Sequence, residues 1–500
     1  MLKSSLLEII RTFSKDELKS FEDFVRSPYF NKNENVERLF LEIKKYMPDF
    51  MNEDLEKEKI WSKLFPEKLY NYGILKNLIF DLGKLCENFL IIEHSRNDEF
   101  RNTIDLMTLL CNRGISKVLF SKIDAFEKRL KTMELAGSKY QAADYYDTLH
   151  KLQSMKAYSN RLFDPKSSSY QEIVSAGENF IYSFMIRLYK LYNNIDAFKD
   201  TDNYKNAILI FNFLKELNKN FGSNILSNNE NKTERDQIIL KCFFDMNLAL
   251  YPDAAATNYQ DFRRSFDDCI DLVSKADLQD LLVCLSNSLR DRYSKDPGSQ
   301  INIQKEKFYI FNLEIEKGTY LRLNVVDEND FINYMLIAFS LGEFESIEKF
   351  YKKISDKIAE DKKINIDSLT SAYLAFGKKE FNESLKYLSK ITHDFFVMKY
   401  YVKNLEIMNY YELNDFVSFS YLLDSYKHFL SGNKSVIDHH RQVAEGFFKI
   451  VNRMFKVKES FGKYEFQKLK DDANEVHYLQ KGWIHTKLDE LEKVNRKRLK

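Results

Sequence analysis

Apolar positions recur along this chain at spacings of three and four, the period of one face of an α-helix. Leu18, Phe21, Phe24 and Val25 follow Ser14-Lys15-Asp16-Glu17. A serine with a glutamate three residues on predicts a capping box, each side chain bonding the other's backbone N–H. The stretch SPYFNKNE around Pro28 breaks that helix, because proline removes a donor and fixes φ. Val36, Leu39, Phe40 and Ile43 begin the next, and KEKIWSKLFPEKLYN, with Trp61, Leu64, Phe65 and Pro66, predicts a short helix and a turn. Leu75, Leu78, Ile79, Leu82, Leu85, Phe89 and Leu90 predict a long amphipathic helix. Over 98–160 the pattern continues with Leu106, Leu109 and Leu110, then Leu119, Ile123, Phe126 and Leu130, on one face. No convincing run of period-two alternation interrupts it, so the chain reads as essentially all-α.

Polar breaks divide the pattern. FDPKSSSY (Phe163 to Tyr170) is the best linker candidate, and Ser169 with Glu172 can cap the helix that follows. That helix carries Ile173, Val174, Phe180, Ile181, Phe184, Leu188 and Tyr192. FGSNILSNNENKT (Phe221 to Thr233) reads as a solvent loop and Asp296–Ser299, DPGS, as a turn. The expected organisation is a helical N-terminal domain at 1–95 and helical hairpins at 96–163. An α-solenoid at 164–456 and C-terminal helices with a basic tail at 457–500 complete it.

One helical phrase repeats. GEFESIEKFYKKI from Gly342, KEFNESLKYLSKI from Lys379 and NDFVSFSYLLDSY from Asn414 place an aromatic at Phe344, Phe381 and Phe416. On the same stripe follow Ile347, Tyr351 and Ile354, then Ser384, Leu388 and Ile391, then Phe419, Leu423 and Tyr426. An earlier copy fits as Tyr204, Ala207, Phe211 and Leu214. Partner helices are expected at Phe331 to Leu341, Ser371 to Phe376 and Leu405 to Leu413. Helix pairs at a period of 35 to 37 residues are expected to stack on their neighbours.

These copies resemble tetratricopeptide repeats over about 203–215 and 331–426, through the G-x-[FY]-x-x-[small]-x-x-x-[aromatic] portion of the second helix. Ala207 and Ser384 supply the small residue; Ile347 and Phe419 do not. No peptide-clamping residue of that family matches a position here. The whole chain also resembles large uncharacterised bacterial helical proteins, through FSKDELKSFEDFVRSPYFN, NYYELNDFVSFSYLLDSYKHFL at 409–430 and KGWIHTKLDELEK at 481–493. That resemblance implies α-helical architecture and no particular activity.

Composition narrows the partners. Lysine and arginine (76) balance aspartate and glutamate (75), giving a net charge of +1 and no global pull toward nucleic acid or an anionic membrane. Only 14 glycines and 6 prolines occur, and none of the prolines follows Pro297, which suits long helices. Cys86, Cys111, Cys242, Cys269 and Cys284 are odd in number and form no CxxC, which favours reduced thiols and a cytoplasmic location. No window of eighteen apolar residues occurs, and the N-terminal apolar stretch is too short for a signal peptide.

Candidate chemistry is sparse. No two glycines lie closer than ten residues, so phosphate-cradling loops are excluded, and Gly377-Lys378-Lys379 lacks the upstream glycine. His439 and His440 are adjacent and point about 100° apart on a helix. His477 and His485 could share a face, yet no carboxylate pattern supports a metal site. The cysteines sit among apolar neighbours, and carboxylates are so abundant that pairs such as Asp267-Asp268 and Asp471-Asp472 carry no signal. From Lys493 the chain ends KVNRKRLK, five cations that could touch phosphate or simply complement a helix end. Ile484, Leu488, Leu491 and Val494 predict a C-terminal capping helix anchored by Trp483. The expectation is a non-enzymatic scaffold that binds a protein or peptide, without catalytic residues, cofactor or metal. The alternative is a nucleic-acid-associated regulator using lysine-rich faces and the tail.

Overall fold

The computed structural model describes residues 4–166, 168–196, 209–210, 212–217, 232–250, 256–290, 303–322, 325–392, 396–432, 438–475 and 480–495. Outside them fall most of the Phe221–Thr233 loop, the DPGS turn, and Tyr204, Ala207 and Phe211 of the earliest copy. The described chain is all-α, apart from a two-residue antiparallel pair, β1 (Leu321–Arg322) and β2 (Val325–Val326), with Leu321 opposite Val326. It divides into two compact units. One comprises Met1–Met133 with Asp144–Ile181; the other comprises Glu134–Ala143 with Tyr182–Lys500.

In the first unit run α1 (Ser5–Ile10), α2 (Lys15–Arg26), α3 (Glu34–Lys44), α4 (Lys57–Leu64), α5 (Tyr72–Arg96), α6 (Glu99–Asn112) and α7 (Ser116–Thr132). The capping box forms: Glu17 N–H donates to Ser14 Oγ at 3.2 Å and Ser14 N–H to Glu17 Oε2 at 2.7 Å. These bonds, the backbone one first, hold the Glu17 carboxyl below its ordinary range. The core is aromatic, with Phe21 edge-on to Phe40 at 4.9 Å and against Phe89 at 5.2 Å.

Two expected faces need correction. On α6 the buried stripe is Phe100, Met107 and Cys111, while Leu106 and Leu109 are exposed. Leu106 sits about 120° and Leu109 about 180° around the helix from that stripe, and α6 packs on α5 and α7. On the helix α9 (Tyr170–Asp196), Ile173, Val174, Phe180, Ile181 and Phe184 are exposed and Leu188 is half-buried. Of the expected face Tyr192 is buried, and Ala176, Tyr182, Met185, Ile186 and Tyr189 are buried in place of the others. The Ser169–Glu172 box is replaced by tertiary bonds: Ser169 Oγ donates to the Ala157 carbonyl of α8 (Ala142–Phe163), and Glu172 faces Lys156 at 3.8 Å.

The second unit opens with α10 (Glu234–Leu250), α11 (Ala256–Cys269) and α12 (Lys275–Arg290). Fully buried Asp277 organises its polar centre. Its carboxylate accepts from Lys190 Nζ at 2.7 Å, from Ala142 N–H at 2.7 Å and from Ser274 Oγ at 2.9 Å. Lys190 also meets Asp280 at 2.8 Å. Burial works against the Lys190 charge, but Asp277 and Asp280 outweigh it and lift the ammonium above its ordinary range.

Then follow α13 (Ile303–Lys317), α14 (Glu328–Leu341), α15 (Phe344–Ile354), α16 (Glu360–Gly377), α17 (Phe381–Leu388), α18 (Phe396–Glu412) and α19 (Phe416–Gly432). The last three are α20 (Asp438–Glu459), α21 (Lys463–Glu475) and α22 (Lys481–Val494). Each helix packs on the next, and α14 on α16, α16 on α18 and α18 on α20, so alternate helices form one layer. The repeated stripe faces this core: Ile347, Ile354, Ser384, Leu388, Ile391, Phe419, Leu423 and Tyr426 are buried, and Tyr351 is half-buried. The partner helices start earlier than the expected Phe331–Leu341, Ser371–Phe376 and Leu405–Leu413: polar residues extend α14 and α16, while the extension of α18 adds buried Tyr400 and Val402 to the core.

The turn within each pair is also repeated. Gly342, Lys379 and Asn414, each two residues before the opening aromatic, have φ of 78°, 63° and 56°. In each, the next residue's N–H bonds a carbonyl five residues back: Glu343 to Ala338, Glu380 to Ala375 and Asp415 to Tyr410, at 2.8 to 2.9 Å. This is the Schellman closure, which satisfies the carbonyls a helix end leaves open. The α6–α7 turn repeats it, with Gly114 at φ 71° and Ile115 N–H on the Leu110 carbonyl at 3.0 Å.

Candidate functional site

Side chains of α15 and α17 hold the layer α14, α16, α18 and α20 together. The turn aromatics pack between neighbours: Phe344 lies edge-on to Phe339 at 5.8 Å and Phe381 to Phe376 at 5.3 Å. Gly377 has a packing role there, since a Cβ on it would come within 2.3 Å of the Phe344 ring. Ser384 tests the small-residue expectation. Its buried hydroxyl donates to the Ala372 carbonyl of α16 and accepts from Asn409 Nδ2 of α18, each at 2.9 Å. One small side chain thus ties three helices. Of the ring-rich phrase at 409–430, Tyr411, Phe419 and Tyr426 are core, whereas Tyr421 is 76% exposed.

The helix α22 packs on α20 and α21 and also reaches α14. Ile484, Leu488 and Leu491 are its buried stripe, whereas Val494 of the expected set, in the last turn, is exposed. Trp483 anchors it: the indole Nε1–H donates to Glu412 Oε1 of α18 at 2.8 Å, and the ring stands edge-on to Tyr411 at 5.4 Å. Lys487 meets Glu412 at 2.9 Å. Burial disfavours the Lys487 charge, but Glu490 and Glu412 raise its ammonium above the usual value. Burial pushes the Tyr411 phenol well up, with Glu412 adding to it.

At the start of α22 lies a cavity of about 210 Å³. Its walls include Gln304 of α13, Asn333 and Ser340 of α14, Tyr373 of α16 and Gln480. Gln480 occupies the N-cap position of α22, but its side chain makes no capping bond. No local pattern points to this cavity, because its walls come from residues over 170 positions apart.

The remaining candidates do not converge on a reactive centre. Asp267 pairs with Arg263 and Asp472 with Arg453, while Asp471 accepts from Gln467 at 3.0 Å. All five cysteines are buried. Burial pushes the Cys86 thiol up to about 12 and raises Cys242 and Cys284 well beyond the usual range, away from the nucleophilic thiolate. Burial likewise holds the Tyr334 and Tyr400 phenols neutral, at about 12. His439 and His440 fall in the first turn of α20, and their side chains, like His477 and the tail at 496–500, lie outside the described residues. Among the described residues, no group of three or more His, Cys, Asp or Glu could hold a metal ion, and no helix is long and apolar enough to cross a membrane.

No family model matches the chain, and neither the curated proteins nor the solved structures contain a match to it.

Proposed function

We propose that this chain is a non-enzymatic scaffold that binds a protein or peptide partner on its stacked-helix array. The observation that carries the reading is the repeated pair: one turn geometry and one buried stripe set α14, α16, α18 and α20 side by side. Nearest-neighbour stacking of this kind presents a continuous face that a partner can follow. On this proposal the array is tetratricopeptide-like, with Ser384 as the close-approach residue of the middle pair. Five buried thiols fit a reducing, cytoplasmic setting.

The test joins capture to mapping. The tagged full chain, expressed in its native host, should retain one specific partner at near-equal amounts. That partner should slow amide exchange in α14, α16 or α18. Retention of chaperones alone, or protection confined to 1–95, would refute the proposal.

A further inference from the structure

The helix α9 is apolar on its exposed side as well as its buried one. Tyr170, Ile173, Val174, Phe180, Ile181 and Phe184 are between 36% and 68% exposed. They recur at spacings of three and four and so share one stripe of the helix. At its centre stands Gly177, itself exposed, with nothing within 4 Å of where a Cβ would stand. A glycine inside a helix weakens it relative to alanine and serves where another backbone comes close. No such backbone comes from the described residues of this chain. Phe180 leans on His150 at 5.2 Å and Phe184 on Phe213 at 6.1 Å, yet both rings remain exposed. We infer that this stripe is the contact between two copies of this chain, whose α9 helices cross antiparallel about a two-fold axis at Gly177.

The stripe has the symmetry that a second copy requires. A two-fold interface is isologous: residue i meets residue j, and j meets i. The six apolar residues stand three, four and seven positions on either side of Gly177. A two-fold there pairs Ile173 with the partner's Ile181, Val174 with the partner's Phe180 and Tyr170 with the partner's Phe184. The two glycines meet on the axis, and their missing side chains let the helices approach closely. At about 200 Å² for a whole aromatic side chain, the three rings expose roughly 300 Å² per copy. With the three aliphatic residues, two copies bury about 1,000 Å² in all, the size at which specific interfaces begin. The stripe carries no lysine or arginine to draw it to an anionic membrane. The helix α9 lies outside the array α14 to α20, so self-association stands or falls independently of the scaffold reading.

Analytical ultracentrifugation of the full chain at micromolar concentration is the test. The wild type should sediment as a dimer. Ile173→Lys and Ile181→Glu each set a charge against an apolar partner and should weaken the dimer by about tenfold or more. The double variant, Ile173→Lys with Ile181→Glu, should return to within about threefold of the wild type, because the introduced charges face each other across the axis. Within one copy the two positions lie too far apart on the helix to pair. Gly177→Leu should weaken the dimer by about tenfold or more while keeping or raising the melting temperature, since its side chain meets open space in a single copy. A monomer at every concentration, a dimer indifferent to the single variants, or a double variant no tighter than the singles would overturn the two-fold. So would a monomer whose α9 is shielded from amide exchange by a different protein captured from the host, because the stripe then belongs to that partner.

Discussion

Lys379→Gly should stabilise the α16–α17 pair. Lys379 sits at φ 63°, in the left-handed region, where a non-glycine residue is strained by about 1–2 kcal/mol. Glycine removes that strain, but it frees the unfolded chain, which offsets about 0.5–1 kcal/mol of the gain. The Schellman bonds, Glu380 N–H to Ala375 and Lys379 N–H to Phe376, both at 2.9 Å, use only backbone and survive the change. The net effect is about 0.5–1 kcal/mol in favour of the fold, or roughly two- to fivefold slower opening. Hydrogen exchange read by mass spectrometry over 360–391 reports it locally, which suits a long chain better than a single global transition. Gly342→Ala is the mirror experiment, because Gly342 has φ 78° with open space around it. The same strain acts there, offset by the same unfolded-chain entropy, so exchange over 328–354 should speed up by about two- to fivefold. Asn414→Gly should change little, since asparagine tolerates this region. Faster exchange in Lys379→Gly, or no effect in Gly342→Ala, would refute the shared-turn argument.

Two further outcomes are expected. Leu388→Asp should cost about 4 kcal/mol or more and release α17, because Leu388 is 1% exposed and no partner awaits a charge; native-like exchange of that pair would show the stripe to be misassigned. Lys190→Met should cost about 3–5 kcal/mol by leaving Asp277 buried without its cation, read by denaturant unfolding of the full chain. Since the folded Lys190 pKa lies above the ordinary 10.5, its stabilisation is complete below pH 10.5 and is lost as pH rises through the folded value. The wild type should therefore weaken at strongly alkaline pH more than the variant does, and equal pH profiles would contradict the pairing.

Much of this protein follows from local pattern. The all-α class, the Ser14 capping box and the buried positions Ile347, Leu388 and Phe419 depend on helix periodicity and neighbouring residues, which the sequence displays directly. The rest needed tertiary contacts. Leu106 and Phe180 are as apolar as their buried neighbours, so only the placement of adjacent helices decides which side of α6 and α9 is covered. Lys379 carries no glycine signal for its left-handed turn; the packing on either side imposes it. Gly377, silent as a nucleotide-loop residue, is explained by the Phe344 ring against it. The cavity is the extreme case: Gln304 and Gln480 line one pocket because α22 folds back onto α14, a long-range return that no local period encodes. Sequence alone determined which segments coil and which stripe they bury, because those choices are made within a few turns of helix. Tertiary structure alone decided what the stacked helices enclose, because that depends on residues far apart in the chain.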